Sequence, residues 1–159
     1  MNVSLICVGK LKEKFYTEAA TEYVKRLGAY CKLEIIELPE QRLSQNPSPG
    51  EISAALEKEG AAIRGKLPPG YTVIALCVEG KLLSSEELSA TLARWAQMGS
   101  KGLALVIGGS YGLHPSVKEL AWLRLSMSPM TFPHHLARVM VLEQLYRVFK
   151  IQEGGSYHK

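Results

Sequence analysis

The residues able to do chemistry gather in three stretches of the second half of the chain. The first is VIGGSYGL, Val106 to Leu113. Glycines directly after a strand-like run let the backbone approach a ligand or adopt positive φ, and open α/β sheets bind ligands beyond the carboxyl ends of their strands. Gly108, Gly109 and Gly112 do not spell G-x-G-x-x-G, and no P-loop lysine follows, so phosphate recognition is not indicated. Taken alone, the segment reads equally well as a tight turn. The second stretch is LSMSPMTFPHHLAR, Leu125 to Arg138. Its Met127, Ser128, Pro129, Met130, Thr131 and Phe132 offer backbone groups, hydroxyls and soft apolar contacts. Such a lining suits a flat heteroaromatic ligand carrying a thioether or sulfonium arm better than it suits a phosphate. A proline-shaped connection is the plainer alternative. With a further loop at Glu79-Gly80 expected at the same sheet end, a ligand pocket becomes the better reading of all three.

The third stretch is the last helix and the tail. Glu143 and Arg147 stand four apart with the acid first, the favourable order for a pair on one helix face. His134 and Arg138 form a second four-residue pair, about 220° round the helix from the first. Polar pairs on both flanks of an otherwise apolar helix are costly unless satisfied or used. The bland reading of Glu143 and Arg147 is a surface ion pair contributing less than about 1 kcal/mol. The terminal Tyr157, His158 and Lys159 follow two glycines and combine an aromatic, an imidazole and a cation, suited to stacking on a base and touching phosphate, although chain ends commonly fray.

The elements that must position these residues alternate along the chain. Val3–Val8 reads as a strand buried on both faces. Phe15, Ala19, Tyr23 and Leu27 recur every four residues and mark an amphipathic helix stopped at Gly28. Leu33–Leu38 is a second strand, and Pro39 to Gly50, with three prolines, is the expected mobile loop. Ser48-Pro49-Gly50-Glu51 opens a helix running to about Arg64. Thr72–Val78 is a central strand ending at Glu79-Gly80-Lys81. Ser84-Ser85-Glu86-Glu87 opens a helix to about Met98. Leu103–Ile107 is a strand, a short helical piece follows Pro115, a further strand lies near Leu123–Met127, and the last helix spans about His134 to Gln152. Alternation of this kind predicts one α/β domain over residues 1–159, an open, mainly parallel sheet with flanking helices. The last helix is apolar round most of its circumference, so it should be buried on two sides, by a second copy of the chain in a two-fold dimer or by its own sheet.

Composition narrows the classes further. The chain has 159 residues, 47% apolar and 21% charged, which fits one folded domain and argues against disorder or a repeat array. No apolar run approaches the roughly 20 residues of a membrane span. Met1 to Val8 carries neither a basic n-region nor a small-residue cleavage site, so a cytoplasmic protein is expected. Cys7, Cys31 and Cys77 have no metal or redox spacing and read as buried thiols. Nineteen basic against fifteen acidic residues leave +4, which permits a polyanionic partner without demanding one.

Taken together, LICVGKLKEKFYTEAATEYVKRL at the start, VIGGSYGL, LSMSPMTFPHHLARVMVLEQLYRVFKI and the terminal YHK resemble the RlmH family of large-subunit ribosomal RNA methyltransferases, of the SPOUT class. The similarity runs over nearly the whole chain. It implies an S-adenosylmethionine-dependent enzyme that methylates N3 of pseudouridine 1915 in the helix-69 loop of bacterial 23S rRNA, with the assembled ribosome as substrate. It further implies a carboxyl-terminal trefoil knot and a homodimer, with no membrane or DNA partner. Matched by position, Leu76, Gly108, Met127, Ser128, Pro129, Met130, Thr131 and Phe132 should meet the cofactor. Arg138, Arg147, Tyr157, His158 and Lys159 should face the RNA, with the tail completing the partner subunit's site. Glu143, Arg147 and His158 are the expected catalytic group. The rival readings are a non-catalytic ribosome-associated RNA-binding module with an empty pocket, and a small-molecule enzyme using the glycine loop for a nucleotide.

Overall fold

The computed structural model describes residues 1–158; Lys159, expected to face RNA, lies outside the described residues. Five strands and five helices alternate: β1 (Asn2–Val8), α1 (Lys14–Leu27), β2 (Lys32–Leu38), α2 (Pro49–Lys66), β3 (Tyr71–Leu82), α3 (Ser85–Ala96), β4 (Gly102–Ile107), α4 (Pro115–Leu120), β5 (Leu123–Ser126) and α5 (His134–Gln152). The strands form one sheet in the order β2-β1-β4-β3-β5, every pairing parallel. β1 and β4 sit inside it, which is why Val3–Val8, Ser4 apart, and Gly102–Ile107 are apolar without alternation and buried on both faces.

Two apolar cores lie against the two sheet faces. One joins Leu5 and Leu103 to Leu27 of α1, Leu92 and Trp95 of α3, and Leu142 and Leu145 of α5. The other joins Ile6 and Val106 to Ile63 of α2 and Val117 of α4. α5 lies beside both α1 and α3, so neighbouring helices within the protomer take up much of its apolar surface. Val141, Leu142, Leu145 and Val148 are buried, while Met140, Phe149 and Ile151 stay half-exposed. Truncating Leu142, which has no exposed surface, would cost about 2–5 kcal/mol. No helix of the described residues is long and apolar enough to cross a membrane.

Local signals set the helix starts. Ser48 accepts the Glu51 N–H at 3.2 Å while the Glu51 carboxylate accepts the Ser48 N–H at 2.7 Å, and Ser84 and Glu87 repeat the arrangement. Each box satisfies two backbone donors that the first helical turn leaves orphaned. One boundary departs from the expectation. β3 does not stop at Val78 but continues through Glu79-Gly80-Lys81 to Leu82, with a register shift against β5 between Leu76 and Lys81. Gly80 makes this passage feasible, since a Cβ there would sit 2.7 Å from the Leu125 carbonyl carbon.

Candidate active site

The carboxyl ends of β3, β4 and β5 open into a cavity of about 780 Å³, within the range that holds a cofactor-sized molecule. Leu76 lines it from β3, Gly108 from the loop after β4, and Met127, Ser128, Met130, Thr131 and Phe132 from the loop after β5. Seven of the eight residues expected at a cofactor therefore meet around one space. The eighth, Pro129, is exposed and stands outside the lining. The Met130 N–H donates to Ser128 Oγ at 3.0 Å, a tight local bend with Pro129 at its apex.

The glycine loop is both the turn and the pocket wall. The Gly112 N–H donates to the Gly109 carbonyl at 3.0 Å, and Gly112 takes φ +81°, a conformation that favours glycine. A Cβ on Gly108 would lie 2.2 Å from the Gly112 oxygen, so the loop folds back on itself only because that atom is missing. Behind it stands Glu40, which accepts the Ser110 N–H at 3.0 Å and the Ser110 hydroxyl at 2.7 Å. Burial pushes the Glu40 carboxyl up, but the two Ser110 hydrogen bonds, with His134 and His135 nearby, hold it below its ordinary value overall. The two serine contacts bind the front of the segment expected to be a mobile loop, and the Gln41 N–H, donating to Glu59 at 2.9 Å, binds it a second time.

The lining is mostly apolar, and its acid and base are committed to each other: Lys118 donates to Glu79 at the mouth. His134, at the start of α5, has a buried Nε2 without a hydrogen-bond partner. Burial, with His135 adjoining, lowers the pKa of this ring, so it enters the wall as neutral imidazole.

The polar cluster lies elsewhere. Glu143 Oε1 accepts Arg147 Nε at 3.0 Å and Nη2 at 2.5 Å, and Glu143 Oε2 accepts from Gln144 at 2.7 Å. The tail folds over this pair. Tyr157 donates its hydroxyl to Glu143 at 3.2 Å and places its ring 4.8 Å from the Arg147 guanidinium carbon, within cation–π range. Burial first, then Tyr23 and Glu143, pushes the Tyr157 phenol up to about 12, so it remains a donor. His158 puts Nε2 2.6 Å from Glu86 and Nδ1 3.4 Å from Arg147; that Glu86 contact draws the carboxyl down to about 2. Glu143 and Arg147 are only 17% and 24% exposed, a roofed pair rather than a bare surface one. None of these residues lines the cavity. Glu143 lies six residues beyond Ala137 at the cavity edge, about 9 Å along the helix.

Arg138 corrects an expectation. It is 2% exposed, donates to the Gly9 carbonyl at 2.7 Å and pairs with Glu37. Rather than meeting RNA, it ties α5 to the ends of β1 and β2. Because Glu37 reaches solvent, losing it costs less than the about 3–5 kcal/mol of a fully buried pair. Sequence reasoning also misses Glu40 and Lys118, whose partners Ser110 and Glu79 lie far away in the chain; neither periodicity nor spacing signals such pairings.

Comparison with known proteins adds to this geometry. A family described as "Predicted SPOUT methyltransferase" matches residues 1–158. Among solved structures, a probable methylase family protein from Haemophilus influenzae Rd KW20 superposes with a TM-score of 0.57 at 11% identity, covering 99% of this chain and 70% of that one. At that identity the likeness concerns the fold.

Proposed function

The chain belongs to the SPOUT methyltransferase family, and from that premise we propose that it methylates N3 of pseudouridine 1915 in the helix-69 loop of 23S rRNA, on the assembled ribosome, in the cytoplasm, as a homodimer using S-adenosylmethionine. The observation that carries this reading is the cavity itself. Its glycine cradle at Gly108, its methionine and phenylalanine walls and its mutually neutralised Glu79 and Lys118 suit an adenosine with a sulfonium arm and offer no phosphate clamp.

When bound, S-adenosylmethionine supplies an electrophilic methyl, so no covalent nucleophile on the protein is required. The chain's own work is to hold a base nitrogen in line and to favour loss of its proton. Positioning can remove about 7–11 kcal/mol of barrier, whereas a general base contributes about 10²- to 10⁴-fold in rate, so positioning dominates. Arg147, Tyr157 and His158 orient the nucleotide. Glu143, with both oxygens accepting, holds Arg147 in place, and His158 has its two ring nitrogens on Glu86 and Arg147, so either one assists proton removal only by releasing one of these contacts to the nucleotide. Because a protomer's own cluster stands apart from its own cavity, the reading pairs each cavity with the tail of the second copy. The half-exposed Met140, Phe149 and Ile151 on α5 offer apolar surface for that dimer. The reading includes a carboxyl-terminal trefoil knot.

Incubating the protein with methyl-labelled S-adenosylmethionine and ribosomes lacking the modification, then mapping the label by mass spectrometry, tests the reading. Label on N3 of that pseudouridine is the expected result. Calorimetry without cofactor heat, together with ribosome binding, would instead favour the non-catalytic binding module.

A further inference from the structure

A second cleft, of about 850 Å³, adjoins the first and shares Ser110 and Tyr111 with it. It lies over the carboxyl ends of β1 and β4. From β1 the chain turns outward to β2 on one side, and from β4 it crosses to β5 on the other; loops leaving in opposite directions open a crevice of the kind that binds ligands in open parallel sheets. Lys10 and Lys12 of the loop after β1 and Arg42 of the loop after β2 line the cleft with exposed side chains. None of the three forms an ion pair among the described residues.

The acids of the same cleft are engaged. Glu40 accepts both Ser110 donors, Glu59 accepts the Gln41 N–H, and Glu13 faces His135 at 3.6 Å. Glu40 and Glu59 keep their charge but spend oxygens on protein donors inside the cleft, whereas the cations exposed on its lining, Lys10, Lys12 and Arg42, have no ion-pair partner among the described residues and remain available to an anionic ligand. Tyr111, 49% exposed, stands where the two cavities meet.

We propose that this second cleft holds the RNA strand adjoining the target nucleotide, with Lys10, Lys12 and Arg42 contacting backbone phosphates and Tyr111 stacking on the neighbouring base. The inference rests on the RNA methyltransferase reading and adds a strand path to it. Phosphate contacts of this kind fix register without reading sequence, which suits an enzyme that must seat one loop nucleotide.

The test uses full-length protein carrying Lys10→Gln, Lys12→Gln and Arg42→Gln together, all at exposed positions, with a thermal melt to verify folding. The probes are a single-stranded RNA oligonucleotide, S-adenosylmethionine and unmodified ribosomes. Relative to wild type, cofactor affinity should be unchanged, oligonucleotide affinity should fall about 10-fold at 0.1 M salt, and the log–log salt slope should flatten by about 2. KM for ribosomes should rise while kcat holds. Unchanged oligonucleotide affinity and salt slope would overturn the strand path. So would a KM rise on ribosomes with unchanged RNA affinity, which would assign the cleft to a protein neighbour. If wild-type protein methylates no ribosome, the methyltransferase reading itself fails; methylation by wild type with an indistinguishable triple variant sinks only the cleft.

Discussion

The cavity at the strand ends and the polar cluster on α5 differ in both material and completeness. The cavity is made of backbone, glycine and apolar side chains on three loops that the sheet holds at a common edge. Its shape depends on an absent atom at Gly108. The cluster is made of side chains on one helix and the chain end, held by hydrogen bonds from Arg147, Tyr157 and Gln144 to a single carboxylate. The cavity is thus lined entirely by one chain, while the Arg147 cluster stands about two helical turns away. Cofactor binding and methyl transfer should therefore be separable by mutation.

The largest expected effect is on the cavity side. Gly108→Ala places a methyl against the Gly112 oxygen, forces the loop outward, and should weaken S-adenosylmethionine binding about 10²-fold, the scale of a 1 Å misplacement. Isothermal calorimetry measures it, and a melt close to wild type would localise the damage. Arg147→Ala acts on the other region. It should leave cofactor affinity within about twofold and reduce methyl transfer by about 10- to 10²-fold; an equal loss of cofactor binding would break the division.

A smaller effect separates the regions by pH. Glu40 behind the glycine loop and Glu86 beneath the tail both have carboxyl pKa values lowered in the folded protein. Each therefore adds stability that is fully present above the unfolded value near 4.5, lost for Glu86 as pH falls toward about 2 and for Glu40 as pH falls through its lowered value. The melting temperature of wild type should exceed that of Glu40→Gln near pH 6 and converge with it in acid. Glu86→Gln should show the same sign with a smaller gap, because the carboxylate is fully solvated.

Much of this architecture is legible in the order of the amino acids. The apolar runs of β1, interrupted only by Ser4, and of β4 announce buried parallel strands, and Ser48-Pro49-Gly50-Glu51 and Ser84-Ser85-Glu86-Glu87 mark helix starts that the structure bears out. The cavity is legible because glycines and methionines follow strand ends directly. The role of Arg138 is not, because an arginine at a four-residue spacing from His134 says nothing about the Gly9 carbonyl, 129 residues away, that it serves. The continuation of β3 past Val78 is hidden for a related reason: Gly80 reads as a terminator locally, and only its close approach to the β5 backbone reveals why a residue without Cβ is needed. Glu40 lies in a proline-bearing segment whose composition suggests mobility, and its partner Ser110 is seventy residues on.

The pairing of one copy's cavity with the other copy's tail can be tested by mixing two impaired proteins. Differently tagged Gly108→Ala and Arg147→Ala chains are co-expressed and the mixed dimers assayed for methyl transfer to ribosomes. If the site is shared, each mixed dimer holds one intact cavity facing one intact Arg147 out of two sites, and the isolated mixed dimers should recover about half of wild-type activity. Activity no greater than that of the two variants alone would contradict it.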